Sequence, residues 1–238
     1  MNGATELGFE AEVLPFLVNV SASTQQSLLQ NAVVHSVTAA TVLFEQGEIP
    51  HFQHVLLAGS IHLFGRSREN REVLIESVAA PHLVVPAAVV TASPYLMQAR
   101  TPEPSRLLLI HAATFRSSVA TDPALAQAVI ESLAGQFRRM VRQIKNLKLR
   151  PAPQRVGCYI IDLAKRQATP DRAVLPYGKN LIASELGMTR ESFSRALGAL
   201  HEAGIAVDGD TIFIGDRAQL EAVCLPDPLI DDDDGLGI

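Results

Sequence analysis

Several residue types are scarce or absent in this chain, and each absence excludes a class of protein. The 238 residues include no tryptophan and only two cysteines, Cys158 and Cys224. These two cysteines, 66 residues apart, make neither the disulfide framework of a small secreted domain nor a zinc knuckle. No apolar run approaches the roughly 20 residues of a membrane-spanning helix, and no basic segment followed by an apolar one opens the sequence. We therefore expect no signal peptide, no metal site, no membrane partner and a cytoplasmic location.

The residue constellations of common enzymes are also missing. No Ser/His/Asp, Cys/His or metal-ligand set has a recognisable spacing, so we predict that the chain is not an enzyme and has no catalytic residue. A length of 238 residues with 47% hydrophobic content instead allows one large or two modest domains with buried cores.

Charge is distributed unevenly along the chain, although the formal net charge is −5. The residues from Asp227 onward contain five acids and no base, so the rest of the chain is formally neutral. Six bases with no acid among them lie upstream of this acidic end. They are Arg138, Arg139, Arg142, Lys145, Lys148 and Arg150. Because local positive charge attracts phosphate, the acidic total does not exclude nucleic acid as a partner.

Residues 179–202 have the pattern of two short helices joined by a tight turn. Gly187 lies where the turn needs a residue that tolerates a positive φ, and Thr189 follows as the cap of the second helix. Apolar residues at helical spacing give both helices a buried face. These residues are Leu181, Ile182, Leu186, Phe193, Ala196, Leu197 and Leu200. The combination predicts a helix-turn-helix motif.

The opposite face of the second helix carries Arg190, Glu191, Ser194 and Arg195. The last three are spaced i, i+3 and i+4, so they share one face. An arginine can bind O6 and N7 of guanine, and a glutamate can accept a hydrogen bond from N4 of cytosine. The pattern therefore predicts a DNA recognition helix. A solvated surface with an incidental Glu/Arg pair is the alternative.

The stretch Thr189-Arg-Glu-Ser-Phe-Ser-Arg195 resembles the recognition-helix motif of the CRP/FNR transcription regulators, in its FNR-type form. The resemblance implies that Glu191, Ser194 and Arg195 read bases in an inverted repeat of TTGAT-like half-sites. It also implies double-stranded DNA and RNA polymerase as partners. Three further residues complete the predicted DNA contacts, namely Arg190, Thr189 and Lys179.

Residues 33–110 consist of short apolar runs separated by turn residues, which is typical of an antiparallel β sandwich or barrel. The sequences around Gly47 and Gly59 resemble the two glycine signatures of the cyclic-nucleotide-binding β-roll. Where that family has a Gly-Glu ligand loop, this chain has Pro81 to Val90, which contains no carboxylate. Arg100 is a candidate relic of the family's phosphate-binding arginine. We therefore expect the β-roll fold without cyclic-nucleotide binding.

The sequence identifies neither an effector nor a cofactor. No cysteine precedes Cys158, which excludes the N-terminal iron–sulfur cluster of oxygen-sensing relatives. Six histidines lie in or near the predicted β domain, and a histidine beside an apolar pocket is one route to haem ligation. They are His35, His51, His54, His62, His82 and His111. Haem or another small apolar ligand is therefore one hypothesis, and structural roles for all six histidines are the alternative.

A long helix is predicted to begin at Asp122 and Pro123, a capping residue followed by a first-turn proline. Apolar residues then recur at alternating spacings of three and four, as in a coiled-coil seam. They are Ile130, Leu133, Phe137, Met140, Ile144 and Leu147. Since the family that the chain resembles dimerises through a long helix here, we predict a homodimer seam. Packing of this stripe on its own β domain is the alternative.

Together these patterns predict an α+β chain with four segments. Residues 1–120 form an antiparallel β-roll of the double-stranded jelly-roll type, and residues 121–150 form a dimerisation helix and hinge. Residues 151–224 form a winged helix-turn-helix domain, with an Asp-Gly hairpin as the wing. Residues 225–238 form an acidic disordered tail.

The function expected from this layout is that of a homodimeric transcription regulator gated by a small effector. A ligand-independent regulator of the same family, controlled by its abundance, is one alternative. A structural partner protein whose helix-turn-helix only packs is the other.

Overall fold

The computed structural model describes residues 14–231 of the chain. These residues form two compact units, 14–137 and 138–231, and the boundary lies inside one long helix. Antiparallel sheets in the first unit and a helix-turn-helix in the second confirm the predicted α+β class. None of the helices within the described range is long and apolar enough to cross a membrane.

Two four-stranded antiparallel sheets form the β-roll of the first unit. Their strands are β1 Val33–Val37, β2 Val42–Phe44, β3 Phe52–Ala58, β4 Ser60–Arg66, β5 Glu72–Ala79, β6 His82–Val84, β7 Gln98–Arg100 and β8 Ser105–His111. One sheet has the order β1-β8-β3-β6 and the other the order β2-β7-β4-β5. The predicted turn glycines Gly47 and Gly59 both adopt left-handed backbone conformations, with φ of +92° and +87°. Both positions therefore favour the residue without a Cβ.

Apolar side chains fill two layers of this unit. Leu56, Ile61 and Leu107 belong to the layer between the two sheets. Leu108 and Phe115 belong to a second layer, in which one sheet packs against helices. These helices are α1 Ala22–Leu29, α2 Pro86–Thr91 and α3 Ala112–Thr121. Each fully buried side chain of this size contributes about 1.5–3 kcal/mol to folding.

The long helix, α4, spans Pro123–Leu149 and begins where its capping residue predicts. Asp122 Oδ1 accepts hydrogen bonds from the backbone N–H groups of Ala124 at 3.0 Å and Leu125 at 3.2 Å. The Ser21 hydroxyl donates to Asp122 Oδ2 at 2.7 Å, and this bond holds the pKa of the carboxyl well below its usual range. Because Ser21 also caps α1, one carboxylate connects the beginnings of two helices.

The second unit contains a three-stranded sheet and the remaining helices. Its elements are α5 Ala152–Arg166, β9 Arg172–Val174, α6 Lys179–Glu185, α7 Arg190–Ala199, β10 Ile205–Asp208, β11 Thr211–Ile214, α8 Arg217–Cys224 and α9 Pro228–Asp231. The strand order is β10-β11-β9, and Gly209 turns the β10–β11 hairpin with a φ of +58°. Ile160, Phe193 and Leu220 are fully buried in a core shared by α5, α7 and α8.

The acidic C-terminal segment differs from its predicted disorder within the described range. The chain turns at Leu225, after α8, and then forms α9. The bidentate pair of Asp231 with Arg150 holds the segment in place, whereas Asp227 only approaches partly exposed Lys145 at 3.8 Å. Composition indicates the mutual repulsion of acids but not where their partners lie, which is why the prediction was wrong for residues 225–231. The remainder of the predicted tail, residues 232–238, lies outside the described residues.

Candidate nucleic-acid interface

The helix-turn-helix has the geometry that its sequence predicts. Gly187, in the turn between α6 and α7, adopts a φ of +63°. The Thr189 hydroxyl caps α7 by accepting a hydrogen bond from the backbone N–H of Ser192 at 3.2 Å. Ile182 and Phe193 are fully buried, so both helices pack through the predicted apolar faces. The core therefore holds the polar face of α7 outward.

The four side chains predicted to face DNA are all exposed on α7, namely Arg190, Glu191, Ser194 and Arg195. The pKa of Glu191 lies below its usual range because its own backbone N–H and the Thr189 hydroxyl donate hydrogen bonds to the carboxylate. Glu191 is therefore an ionised acceptor near neutral pH. The Arg195 guanidinium donates to Ser192 Oγ at 3.2 Å, which uses one of its five N–H donors.

An open groove of about 370 Å³ lies beside the start of α7. It is lined by the start of α6, the first residue of α7 and the wing turn, namely Gly178, Lys179, Asn180, Arg190, Gly209 and Asp210. The fold thus brings the predicted contacts Lys179 and Arg190 together with the wing. Sequence reasoning missed Asn180 and Asp210, because the Asp-Gly signal identifies a hairpin but not its neighbours.

These groups suit the two tasks of DNA binding. The cationic side chains of Lys179 and Arg190 can neutralise phosphate, which supplies affinity without sequence information. Glu191 and Arg195 can contact base edges, which supplies discrimination. Asp210 contributes a carboxylate to the groove and limits its positive charge.

The apolar stripe of α4 is exposed over most of its length. Phe137 is 61% exposed and Met140 is 50% exposed. Ile130, Ile144 and Leu147 are exposed as well. Leu133 differs, since it packs partly against the core of the first unit beside buried Val129 on the same helix. Leu133 therefore packs on its own β domain, as the alternative to a dimer seam predicts. The other predicted seam residues leave apolar surface in contact with water.

The last member of the stripe, Leu147, also contacts the helix-turn-helix. A terminal methyl group of Leu147 occupies the space that a Cβ at position 187 would take, so a side chain there requires Leu147 to move. Gly187 thus meets two requirements, a left-handed backbone and a close approach. Only the first of them can be predicted from the turn pattern.

The stretch that replaces the Gly-Glu ligand loop forms α2, a helix that the sequence analysis did not predict. Val85 precedes it with a φ of +44°, and Pro86 occupies its first turn. A cavity of about 10 Å³, room for about one water molecule, lies beside this stretch. Its lining contains no carboxylate and consists of Leu14, Pro15, Phe16, Val55, Pro81, His82 and Leu83. Ligand pockets usually occupy roughly 300–1,000 Å³.

Arg100 does not have the geometry of a relic phosphate-binding residue. Its guanidinium donates a hydrogen bond to Glu72 Oε1 at 2.7 Å and lies 4.3 Å from the centre of the Phe64 ring. Its neighbour Ala99 belongs to the layer between the sheets, and successive residues of a strand point to opposite faces. Arg100 therefore faces away from the interior of the β-roll, and the hypothesis of a relic site is corrected.

The buried histidine His54 is packed among aromatic rings in the interior of the β-roll. Its ring lies 5.4 Å from Phe44, which stacks on Tyr95 at 3.7 Å between ring centres. Burial lowers the pKa of His54 to about 4, so its imidazole is neutral near pH 7. Residues 14–231 contain no cluster of three potential metal ligands.

Two protein-family models match the chain. The Crp-like helix-turn-helix domain matches residues 154–223, and the cyclic nucleotide-binding domain matches residues 34–122. Each match falls on the unit that has the corresponding fold. The chain belongs to the CRP/FNR family of transcription regulators.

Relatives of this CRP/FNR regulator include the CRP-like cAMP-activated global transcriptional regulator of Mycobacterium tuberculosis. It is 24% identical over 183 residues, which cover 75% of this chain and 82% of that protein. The nitrogen fixation regulation protein FixK of Azorhizobium caulinodans is 29% identical over 119 residues, 48% of each protein. A solved structure from Eubacterium rectale, assigned to the CRP/FNR regulators, has a TM-score of 0.74 at 17% identity and covers 90% of this chain and all of that one. That likeness confirms the fold.

Family membership has different consequences for the two units of this CRP/FNR regulator. The second unit is a DNA-binding domain, and its relatives are transcription regulators rather than enzymes. The first unit has the fold of a cyclic nucleotide-binding domain. The stretch from Pro81 to Val90 nevertheless lacks the carboxylate that the ligand loop of the family supplies.

Proposed function

We propose that this CRP/FNR regulator is a cytoplasmic homodimer that reads an inverted repeat of TTGAT-like half-sites and does not depend on cyclic nucleotide. The exposed, capped face of α7 carries the proposal. Glu191, Ser194 and Arg195 lie on it at one-turn spacing, as groups that read base edges in the major groove require. Lys179, Thr189 and Arg190 lie where the phosphate backbone would pass.

Dimerisation through α4 follows from the apolar surface that this helix leaves uncovered. Phe137, Met140 and Ile144 are all exposed and recur at spacings of three and four. A second copy of the same stripe would bury these side chains, as in a coiled coil. A two-fold symmetric dimer presents two recognition helices to a palindrome whose half-sites lie about one helical turn apart. RNA polymerase is the further partner that we propose for this regulator.

Selection from a randomised DNA library tests the reading of the palindrome. We expect enriched sequences to contain two inverted TTGAT-like half-sites, and the complex to contain two protein chains by light scattering. Binding that is equally tight to shuffled DNA of the same composition would contradict the proposal. Measurement at several salt concentrations separates base reading from phosphate attraction, because only the latter falls steeply with salt.

Two forms of control are compatible with the absence of a cyclic-nucleotide loop. One is gating by a small apolar effector, and the other is ligand-independent binding controlled by abundance. The cavity beside Pro81 and His82, where the stretch that replaces the ligand loop begins, has a volume of only about 10 Å³, which supports the second. Protein that has been unfolded, stripped of small molecules and refolded separates the two. Nanomolar binding to the palindrome without additions supports control by abundance, and binding restored only by a small-molecule extract supports an effector.

A further inference from the structure

A buried ion pair connects the C-terminal segment to the end of α4. The side chain of Arg150 is only 5% exposed. Its Nη1 and Nη2 atoms donate to the two carboxylate oxygens of Asp231, both at 2.6 Å. Nη1 also approaches Asn146 Oδ1 at 3.3 Å. Such a bidentate pair fixes the orientation of both groups as well as their distance.

Local contacts within the segment orient the Asp231 carboxylate. The backbone N–H of Asp227 donates to Asp231 Oδ2 at 2.7 Å. Asp227 in turn caps α9, since its Oδ1 accepts from the N–H of Leu229 at 2.9 Å. The segment starts from α8, whose last residue, Cys224, packs against Gly157 of α5. Asp231 therefore lies seven residues after the DNA-binding core, in a segment fixed by these local hydrogen bonds.

Arg150 occupies the junction between α4 and α5, directly before Pro151. Three residues earlier, Leu147 packs against Gly187 in the turn of the helix-turn-helix. The end of α4 is thus held by the helix-turn-helix at Leu147 and by the C-terminal segment at Arg150. A change at either contact would alter the angle at which α4 leaves the DNA-binding unit.

We propose that Asp231 is a positioning residue for DNA recognition, which acts by fixing Arg150 and thereby the direction of α4 relative to α7. The inference rests on the proposed function, since in a dimer joined through α4 this direction sets the distance between two recognition helices. Without the carboxylate, the buried guanidinium has lost its charged partner and the junction reorganises to hydrate it. Half-sites at the preferred spacing then lose their advantage over other spacings.

Two substitutions that remove one negative charge each from the same segment provide the test. Asp231→Asn removes the bidentate pair, whereas Asp227→Asn removes a carboxylate that lies 3.8 Å from Lys145. We expect Asp231→Asn to lower affinity for the preferred palindrome by about tenfold, within the usual range of coupling effects, and to flatten the dependence on spacer length. Asp227→Asn should stay within about twofold of the wild type.

The rival explanation is that the acids merely mask bases from phosphate. Masking predicts that both variants bind all DNA more tightly and to a similar degree, and this result would overturn the proposal. Arg150→Gln and the double variant that combines it with Asp231→Asn complete a mutant cycle. We expect the double variant to be no worse than either single variant, because the coupling has already been lost. Additive losses would also overturn the proposal.

Hydrogen exchange in the free protein tests, without DNA, whether Asp231 fixes the junction at Arg150. Asp231→Asn should accelerate exchange of the hydrogen-bonded amides of Arg155 and of residues 186–188, and Asp227→Asn should not. Unchanged exchange there contradicts the proposal even if DNA affinity changes. If Asp231→Asn fails to fold, Asp231→Glu retains the carboxylate and should show intermediate spacing dependence. A wild-type protein without palindrome preference would refute the proposed function, whereas the exchange rates would still decide the role of Asp231.

Discussion

The groove beside α7 and the cavity beside Pro81 and His82 differ in size and in the charge of their lining. The groove of about 370 Å³ is open and lined by Lys179, Arg190 and Asp210. The cavity of about 10 Å³ is lined by apolar residues, a histidine and two prolines. The groove therefore displays charged groups to solvent, whereas this one cavity is too small to hold a ligand. A shared family fold does not imply that both units retain the binding chemistry of their relatives.

A variant that cannot dimerise gives the largest expected effect on the DNA-binding side of this comparison. One DNA-binding unit can occupy only one half-site, so its affinity for the palindrome should fall. Ile144→Glu places a charge in the exposed stripe of α4. We expect monomers by light scattering and a loss of palindrome affinity of about 100-fold or more, since the second half-site no longer benefits from linkage. Leu149→Glu is the matched control, since it adds the same charge at an exposed apolar residue away from the stripe. Equal losses in both variants would contradict the seam.

The closed interior of the β-roll predicts a pH dependence that originates at His54. Its pKa is about 4 in the folded chain, against an ordinary value of 6.5. Between these values the unfolded chain binds more protons, so the free energy of unfolding falls as the pH falls. We expect a loss of about 2 kcal/mol between about pH 7.5 and about pH 5 from this residue.

Urea unfolding followed by circular dichroism at both pH values measures this loss. His54→Gln should remove that part of the pH dependence. His35→Gln, at an exposed histidine of β1, should leave it unchanged. Equal pH dependence in the wild type and His54→Gln would show that water reaches the imidazole in the folded protein.

The recognition face of α7 predicts a smaller effect, on discrimination rather than on overall affinity. We expect Glu191→Ala and Arg195→Ala each to lower the preference for the correct half-site by about five- to one-hundred-fold, while binding to unrelated DNA changes little. Arg217→Ala removes an arginine of α8 that forms an ion pair with Glu221, and it is the control. Competition binding with single-base variants of the half-site measures the preference. Wild-type preference in both α7 variants would mean that another element reads the bases.

The smallest expected effect is that of cyclic nucleotides. A nucleotide would bury its ribose and phosphate groups without the carboxylate that the ligand loop of the family supplies, and unpaired buried polar groups are unfavourable. We expect no saturable heat of binding with cyclic AMP or cyclic GMP, and no change in DNA affinity with either. Micromolar binding of either nucleotide in calorimetry would show that the first unit also binds a polar ligand, and would contradict the comparison.

Local chemistry in the sequence was sufficient to predict the beginnings of α4 and α7 and the turn before α7. Thr189 caps α7, Gly187 takes the left-handed turn and Asp122 caps α4, as the residue types at those positions predict. Such features depend on residues within a few positions of one another, so a single sequence contains the required information. For the same reason, the exposed face of α7 could be assigned before the fold was known.

Features that depend on distant residues could not be predicted in this way. The prediction of a disordered tail was wrong for residues 225–231, because the partner of Asp231 is Arg150, 81 residues earlier in the chain. Leu133 was assigned to the dimer seam, yet it packs partly on its own unit. The helical spacing that identified this residue is the same for either partner.

Spacing and capping within short segments predict the order of the two folds, the helix-turn-helix and the groups that its recognition helix displays. Three other features became visible only in the folded chain: Lys179 and the wing share one groove, Arg100 faces Glu72, and Asp231 binds the end of α4. Each of these contacts joins residues distant in the chain, and their proximity depends on how the whole core packs. A periodic pattern specifies which face of a helix is buried, whereas packing specifies what covers it.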